Sequence, residues 1–196
     1  RKMSERYEMR FTGSGGQGVI LASVILAEAA VLSGIRAVQS QAYGPEARGG
    51  VSKAETILSR EDIWFSRVVQ PDFLLALTQR ALEQFSGDLA PGAVVMADES
   101  LHIPARLQGL QVLSLPILRT ARETVGREMT ANIVAVGAVN AALGLFPESI
   151  VLEAALRHVP RGTEAINRAA LAAGAELASG RQVRIPRAAL LRQNIA

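Results

Sequence analysis

Gly13-Ser14-Gly15-Gly16-Gln17-Gly18 decides the fold, because of what stands on either side of it. Before it, Tyr7, Met9 and Phe11 alternate with polar residues, the period-2 pattern of a strand. After it, Val19 to Ser33 is dense in Ala, Leu, Ile and Val and predicts a helix, with Gly34 where a helix-terminating residue belongs. A G-x-G-x-x-G run between strand and helix has a physical logic. Glycine allows a tight turn and lets backbone N–H groups approach an anion, and the helix N-terminus favours negative charge. The same glycines also serve a loop that needs only close strand–helix packing. Both readings are open at this point.

Outward from this loop, Ile35–Val38 and Val51–Leu58 read as extended, and Pro71-Asp72 introduces the continuous apolar strand Phe73–Leu77. Such a run suits a strand covered on both faces. Arg80–Phe85 reads as a short helix, and Ala93–Ala97 and Gln111–Leu115 as further strands. Helical periods then take over at Arg119–Val125, Thr130–Leu145, Glu148–His158 behind Pro147, and Glu164–Ala178. Strands alternating with helices, then helices alone, predict an α/β fold. The expected form is an open, mostly parallel, Rossmann-like sheet with helices on both faces and a helix-rich C-terminal half. Residues 1–180 read as one domain and 181–196 as a basic tail.

Of the 196 residues, 49% are hydrophobic, 20% charged and only 4% aromatic, so the core is built from Ala, Val, Leu and Ile. The absence of cysteine excludes disulfides, a thiolate nucleophile and a cysteine-held iron–sulfur cluster in these residues. His102 and His158 have no spaced ligand partner, so no metal site is expected. The net charge of +3 lies at the ends: 1–10 contribute +2 and 181–196 contribute +4, leaving the body at −3. No basic stripe with interleaved aromatics crosses the body, which argues against nucleic acid. The apolar stretch Ile133–Phe146 is too short for a bilayer span and the first ten residues are polar, so neither membrane insertion nor a signal peptide is expected.

The loop lacks two marks of familiar nucleotide sites. The second strand ends in Val38-Gln39-Ser40, with no carboxylate for a ribose, and Val19-Ile20 stand where a P-loop has Lys and Ser or Thr. A second loop follows: Gln39-Ser40-Gln41-Ala42-Tyr43-Gly44-Pro45-Glu46-Ala47-Arg48-Gly49-Gly50. It places an aromatic, a carboxylate and a guanidinium among four turn formers. Arg48 suits a phosphate or carboxylate, which its planar fork binds bidentately; an internal Glu46–Arg48 pair fixing the loop is the alternative.

Together, Gly-Ser-Gly-Gly-Gln-Gly-Val and Tyr-Gly-Pro-Glu-Ala-Arg-Gly-Gly resemble the gamma subunit of 2-oxoacid:ferredoxin oxidoreductases, closest to the 2-oxoglutarate type. The likeness extends through Pro71-Asp72, Leu74–Thr78, Glu128–Gly144 and Glu164-Ala165-Ile166-Asn167. It implies a cytoplasmic, multisubunit enzyme that converts a 2-oxoacid and coenzyme A to acyl-CoA and carbon dioxide while reducing ferredoxin. Thiamine diphosphate and iron–sulfur clusters would lie in alpha, beta and ferredoxin-like delta subunits, and this chain would be inactive alone. Carried onto this sequence, the resemblance gives Gly13, Gly15, Gly16, Gln17, Gly18, Tyr43, Gly44, Glu46, Arg48, Gly49 and Gly50 binding or interface roles at the coenzyme A pocket, and no catalytic residue. A pyruvate- or indolepyruvate-type subunit and a stand-alone nucleotide-binding module are the alternatives. Separated from its partners, so apolar a chain is expected to self-associate.

Overall fold

A computed structural model describes residues 6–42, 50–181 and 183. Six strands form one sheet in the order β2-β3-β1-β4-β5-β6: β1 Arg6–Ser14, β2 Arg36–Gln41, β3 Val51–Ser59, β4 Phe73–Ala76, β5 Val94–Asp98 and β6 Gln111–Leu115. β1, β4, β5 and β6 are parallel neighbours, and β3 runs antiparallel to both β1 and β2. Five strands therefore point one way, as a mostly parallel sheet requires. The order holds one feature that local patterns do not carry. β2 follows α1 (Val19–Leu32) as in a βαβ unit, yet β3 is inserted between it and β1.

The two faces are covered unevenly. Tyr7, Met9 and Phe11 of β1 and Phe73, Leu75, Val94 and Met96 of β4 and β5 point into the larger core. That core is capped by α1, α4 (Ala131–Leu143), α5 (Glu148–His158) and α6 (Glu164–Leu177). On the other face α2 (Gln79–Phe85), a single 3-10 turn and loop residues such as Leu101 and Ile103 cover Leu74, Ala76 and Val95. α3 (Ile117–Arg119) runs on as a π-helical stretch, Thr120–Val125, where the sequence predicts a plain helix. Gly126, at φ 83°, ends it.

α4 has twelve of its thirteen residues buried, which fits a helix that is apolar all round. It packs against α6 with backbone on backbone: a Cβ added at Gly137 would overlap the Leu171 carbonyl, and one at Gly174 would overlap the Val134 carbonyl. Asn140 closes the turn after α4, donating from Nδ2 to the Phe146 carbonyl (2.9 Å) and accepting from the Phe146 amide (3.0 Å). Pro147 opens α5 as the sequence indicates.

Two expected outcomes follow from this core. Gly174→Ala forces two helices apart and should lower stability by about 1–3 kcal/mol in urea unfolding, the range for overpacking. Tyr7 is fully buried, its hydroxyl has no hydrogen-bond partner among the described residues, and burial first and the charge of Asp72 second push the phenol pKa up. Tyr7→Phe removes that unsatisfied group and should raise stability by about 1 kcal/mol in the same measurement.

Candidate functional site

The glycine loop stands at the carboxyl end of β1, where the parallel strands also end. Gly13 and Ser14 belong to β1 itself, paired with Ser52 and Val51 of β3. The turn then runs through Gly15, Gly16 and Gln17 to Gly18, the residue before α1, with φ 68° and ψ 26°. Only glycine adopts that left-handed backbone without strain, and a Cβ there would also meet Asn132 Nδ2 at 2.5 Å.

Gln17 is bonded within the loop. Its Oε1 accepts from the Ser14 amide (2.7 Å) and its Nε2 donates to the Leu77 carbonyl (3.4 Å), tying the loop to the end of β4. The side chain lies where a Cβ on Gly13 would fall, 2.5 Å from its Oε1, so Gly13 is glycine to admit Gln17. Both residues therefore shape the loop from inside. Gly15 and Gly16 are exposed. The Gly15 amide donates to the Gly50 carbonyl (3.1 Å), which joins the end of the second loop to the first. The amides of Gly18, Val19 and Ile20 have no acceptor among the described residues, and α1 has no side-chain cap. The chain thus presents donors at a helix start beside two open glycines.

Of the second loop, Gln39-Ser40-Gln41 belong to β2, which runs further than the sequence indicates, and Gly50 is exposed at φ 79°. Tyr43, Gly44, Glu46, Arg48 and Gly49 lie outside the described residues. Gln39, on β2, donates from Nε2 to Ser23 Oγ of α1 (3.0 Å), which ties the strand to the helix.

A contributor missed by sequence reasoning is the start of α4. Asn132 is buried, and its Nδ2 donates to the Gly18 carbonyl (3.3 Å) while its Oδ1 accepts from the Ile133 amide (3.0 Å). A cavity of about 260 Å³ opens here, lined among others by Gly16, Gly18, Arg127, Met129, Asn132 and Asn167. Met129 is 84% exposed at its mouth. The run Met129-Thr130-Ala131-Asn132 carries part of the family resemblance, yet nothing in its local pattern places it against a loop more than a hundred residues earlier. Among the described residues no group of His, Asp or Glu could hold a metal ion, and no helix is long and apolar enough to cross a membrane.

A mixed but mostly parallel sheet with a glycine turn between β1 and α1, tied to the next loop at Gly50, defines a Rossmann-like domain. Residues 8–177 match the family model for pyruvate ferredoxin/flavodoxin oxidoreductase, and the chain belongs to that family. It is 41% identical over 181 residues to the 2-oxoglutarate synthase subunit KorC of Methanocaldococcus jannaschii, covering 91% of this chain and 97% of that one. The gamma subunit of a keto/oxoacid ferredoxin oxidoreductase from Geobacter sulfurreducens superposes with a TM-score of 0.82 at 44% identity, over 91% of this chain and 99% of that chain. Subunit VorA of the ketoisovalerate oxidoreductase of Methanothermobacter marburgensis is 35% identical over 137 residues, which is 70% of this chain but only 28% of VorA.

If Gln17 braces the loop, Gln17→Ala should cost about 1 kcal/mol of stability, the net worth of a typical hydrogen bond. Hydrogen exchange at the Ser14 amide should quicken beyond that global loss, while exchange in β5 changes only with global stability.

Proposed function

We propose that the protein is the gamma subunit of a multisubunit 2-oxoacid:ferredoxin oxidoreductase acting on 2-oxoglutarate, in which it covers the active site and helps to form the coenzyme A pocket. One observation carries the choice of substrate: the match to KorC spans nearly the whole of both chains. The reaction joins the acyl group left by decarboxylation to the coenzyme A sulfur, releases carbon dioxide, and passes two electrons to the acceptor.

This chain has no cysteine, so its residues do not fit an iron–sulfur cluster held by thiolates. Thiamine diphosphate and the clusters belong, on this reading, to alpha, beta and ferredoxin-like delta subunits. The contribution of this chain is binding and cover. The open glycines at 15 and 16 and the free amides at the start of α1 favour an anionic group. Arg48, from the loop joined to them through Gly50, supplies the charge, with Tyr43, Gly44, Glu46 and Gly49 shaping its approach. The anion is a coenzyme A phosphate. Residues 181–196, beyond the family match, carry four arginines and no acidic residue.

The complex purified through a tag on this chain should reduce a low-potential dye only when 2-oxoglutarate and coenzyme A are both present, and the chain alone should be colourless and inactive. Within the complex, Arg48→Ala should raise the apparent constant for coenzyme A roughly 10- to 150-fold, the equivalent of one charge-assisted contact of about 1.5–3 kcal/mol. Arg48→Lys should restore it only in part. Turnover by the isolated chain, or dye reduction by the complex with pyruvate but not 2-oxoglutarate, would overturn the reading.

A further inference from the structure

Residues 60–70 cross the sparsely covered face of the sheet without regular secondary structure, yet they are held by strand side chains along their length. Arg36 of β2 donates to the Arg60 carbonyl (2.6 Å) and pairs with Asp62 (2.7 Å). Arg6 of β1 donates to the carbonyls of Phe65 (2.7 Å) and Arg67 (2.9 Å). Glu8, also of β1, accepts from the amides of Val69 (3.0 Å) and Gln70 (3.2 Å) and pairs with Arg6 (2.6 Å). Three carbonyls and two amides of this strap are thus held by side chains of β1 and β2.

Apart from buried Val68 and half-buried Ile63, its side chains are exposed. Trp64 is 92% exposed, Phe65 55% and Val69 57%, and with Val31 and Met129 they are the large exposed hydrophobic residues of the described chain. Arg67 is exposed beside them, and its side chain makes no ion pair or hydrogen bond among the described residues. Next to the strap lies a cleft of about 680 Å³ whose walls include Phe65, Arg67, Phe85, Lys53 and Asp88. Its floor is rigid. Arg10 is buried there and reaches Glu55 (2.8 Å), Asp88 (2.5 Å) and the Phe85 carbonyl (3.1 Å). Burial alone would lower the Arg10 pKa, but these hydrogen bonds and charges outweigh it and hold the pKa above the ordinary arginine value.

We infer that this strap and cleft form a docking face for a partner subunit that offers an apolar pocket to Trp64 and Phe65 and a carboxylate at its edge to Arg67. Exposed aromatics beside an uncommitted arginine, on a pre-ordered support, are the composition of an interface hot spot. Preordering lowers the entropy lost on association. The lone guanidinium sets the charge of the partner by complementarity. VorA indicates where such a partner comes from, because the matching segment there is 28% of a longer chain, and the partner corresponds to the remainder. This inference rests on the reading that the chain works inside an oxidoreductase complex.

Trp64 is the single tryptophan of the chain, so 5-hydroxytryptophan incorporated into this chain alone reports on one site. The chain is labelled, assembled with the other subunits that co-purify with it, and excited where ordinary tryptophan does not absorb. On assembly the emission should shift to the blue and acrylamide quenching should fall severalfold. Trp64→Ala, at a position too exposed to perturb folding, should weaken assembly roughly 30-fold, the equivalent of about 2 kcal/mol. Arg67→Glu should weaken it further at low salt than at high salt. A complex that forms with Trp64 still freely quenched overturns the docking face and leaves the oxidoreductase reading standing. Shielding of Trp64 only in self-associated chain, and not in the complex, likewise overturns it. Absence of any co-purifying subunit overturns both.

Discussion

The alternation of β1 is the constraint on which the rest of the structure depends. This strand is paired on both sides, antiparallel to β3 and parallel to β4, so each of its side chains must find a partner above or below the sheet. Tyr7, Met9 and Phe11 draw four helices onto one face. Glu8 and Arg10 face the other way and are nearly as buried, a position that charge tolerates only when paired. Glu8 satisfies itself on the backbone of the strap, and Arg10 on Glu55 and Asp88. A register slip of one residue would send both sets to the wrong side. The two faces are thereby committed to different work, one to a dry helical core and the other to a charged, thinly covered surface.

The same strand delivers the loop. Its last residues, Gly13 and Ser14, are still in the ladder when the turn begins, so the loop inherits the rigidity of the sheet. Gln17 folds back under it and Asn132 reaches it from α4. Exposed Gly15 and Gly16 are left with little around them. The loop is thus fixed from inside and open outside.

Much of this was legible in the residues. The period of β1, the apolar run of β4, the glycine turn and Pro147 before α5 each express a local rule, and each element lies within a few residues of its sequence reading. The place of β3 was not legible. Its alternation says that it is a strand, but direction and neighbours depend on pairing across the chain, which local periods do not encode. The strap was missed for a related reason, since 60–70 has no period and its order comes from Arg6, Glu8 and Arg36 elsewhere. The motif marks Gln17 but not its internal bonds, which depend on the space Gly13 leaves. Asn132 stood in a recognised run but had no role until α4 was packed against α1.

Backbone contact between α4 and α6 has a consequence at the opposite end of α4. Two helices that meet through Gly137 and Gly174 have no side chains between them to absorb a change of spacing, so the pair behaves mechanically as one stiff bar. One end of that bar carries Asn132, hydrogen-bonded to Gly18 at the hinge of the glycine turn. The glycine turn near the start of the chain is thus braced by helices that begin more than a hundred residues later.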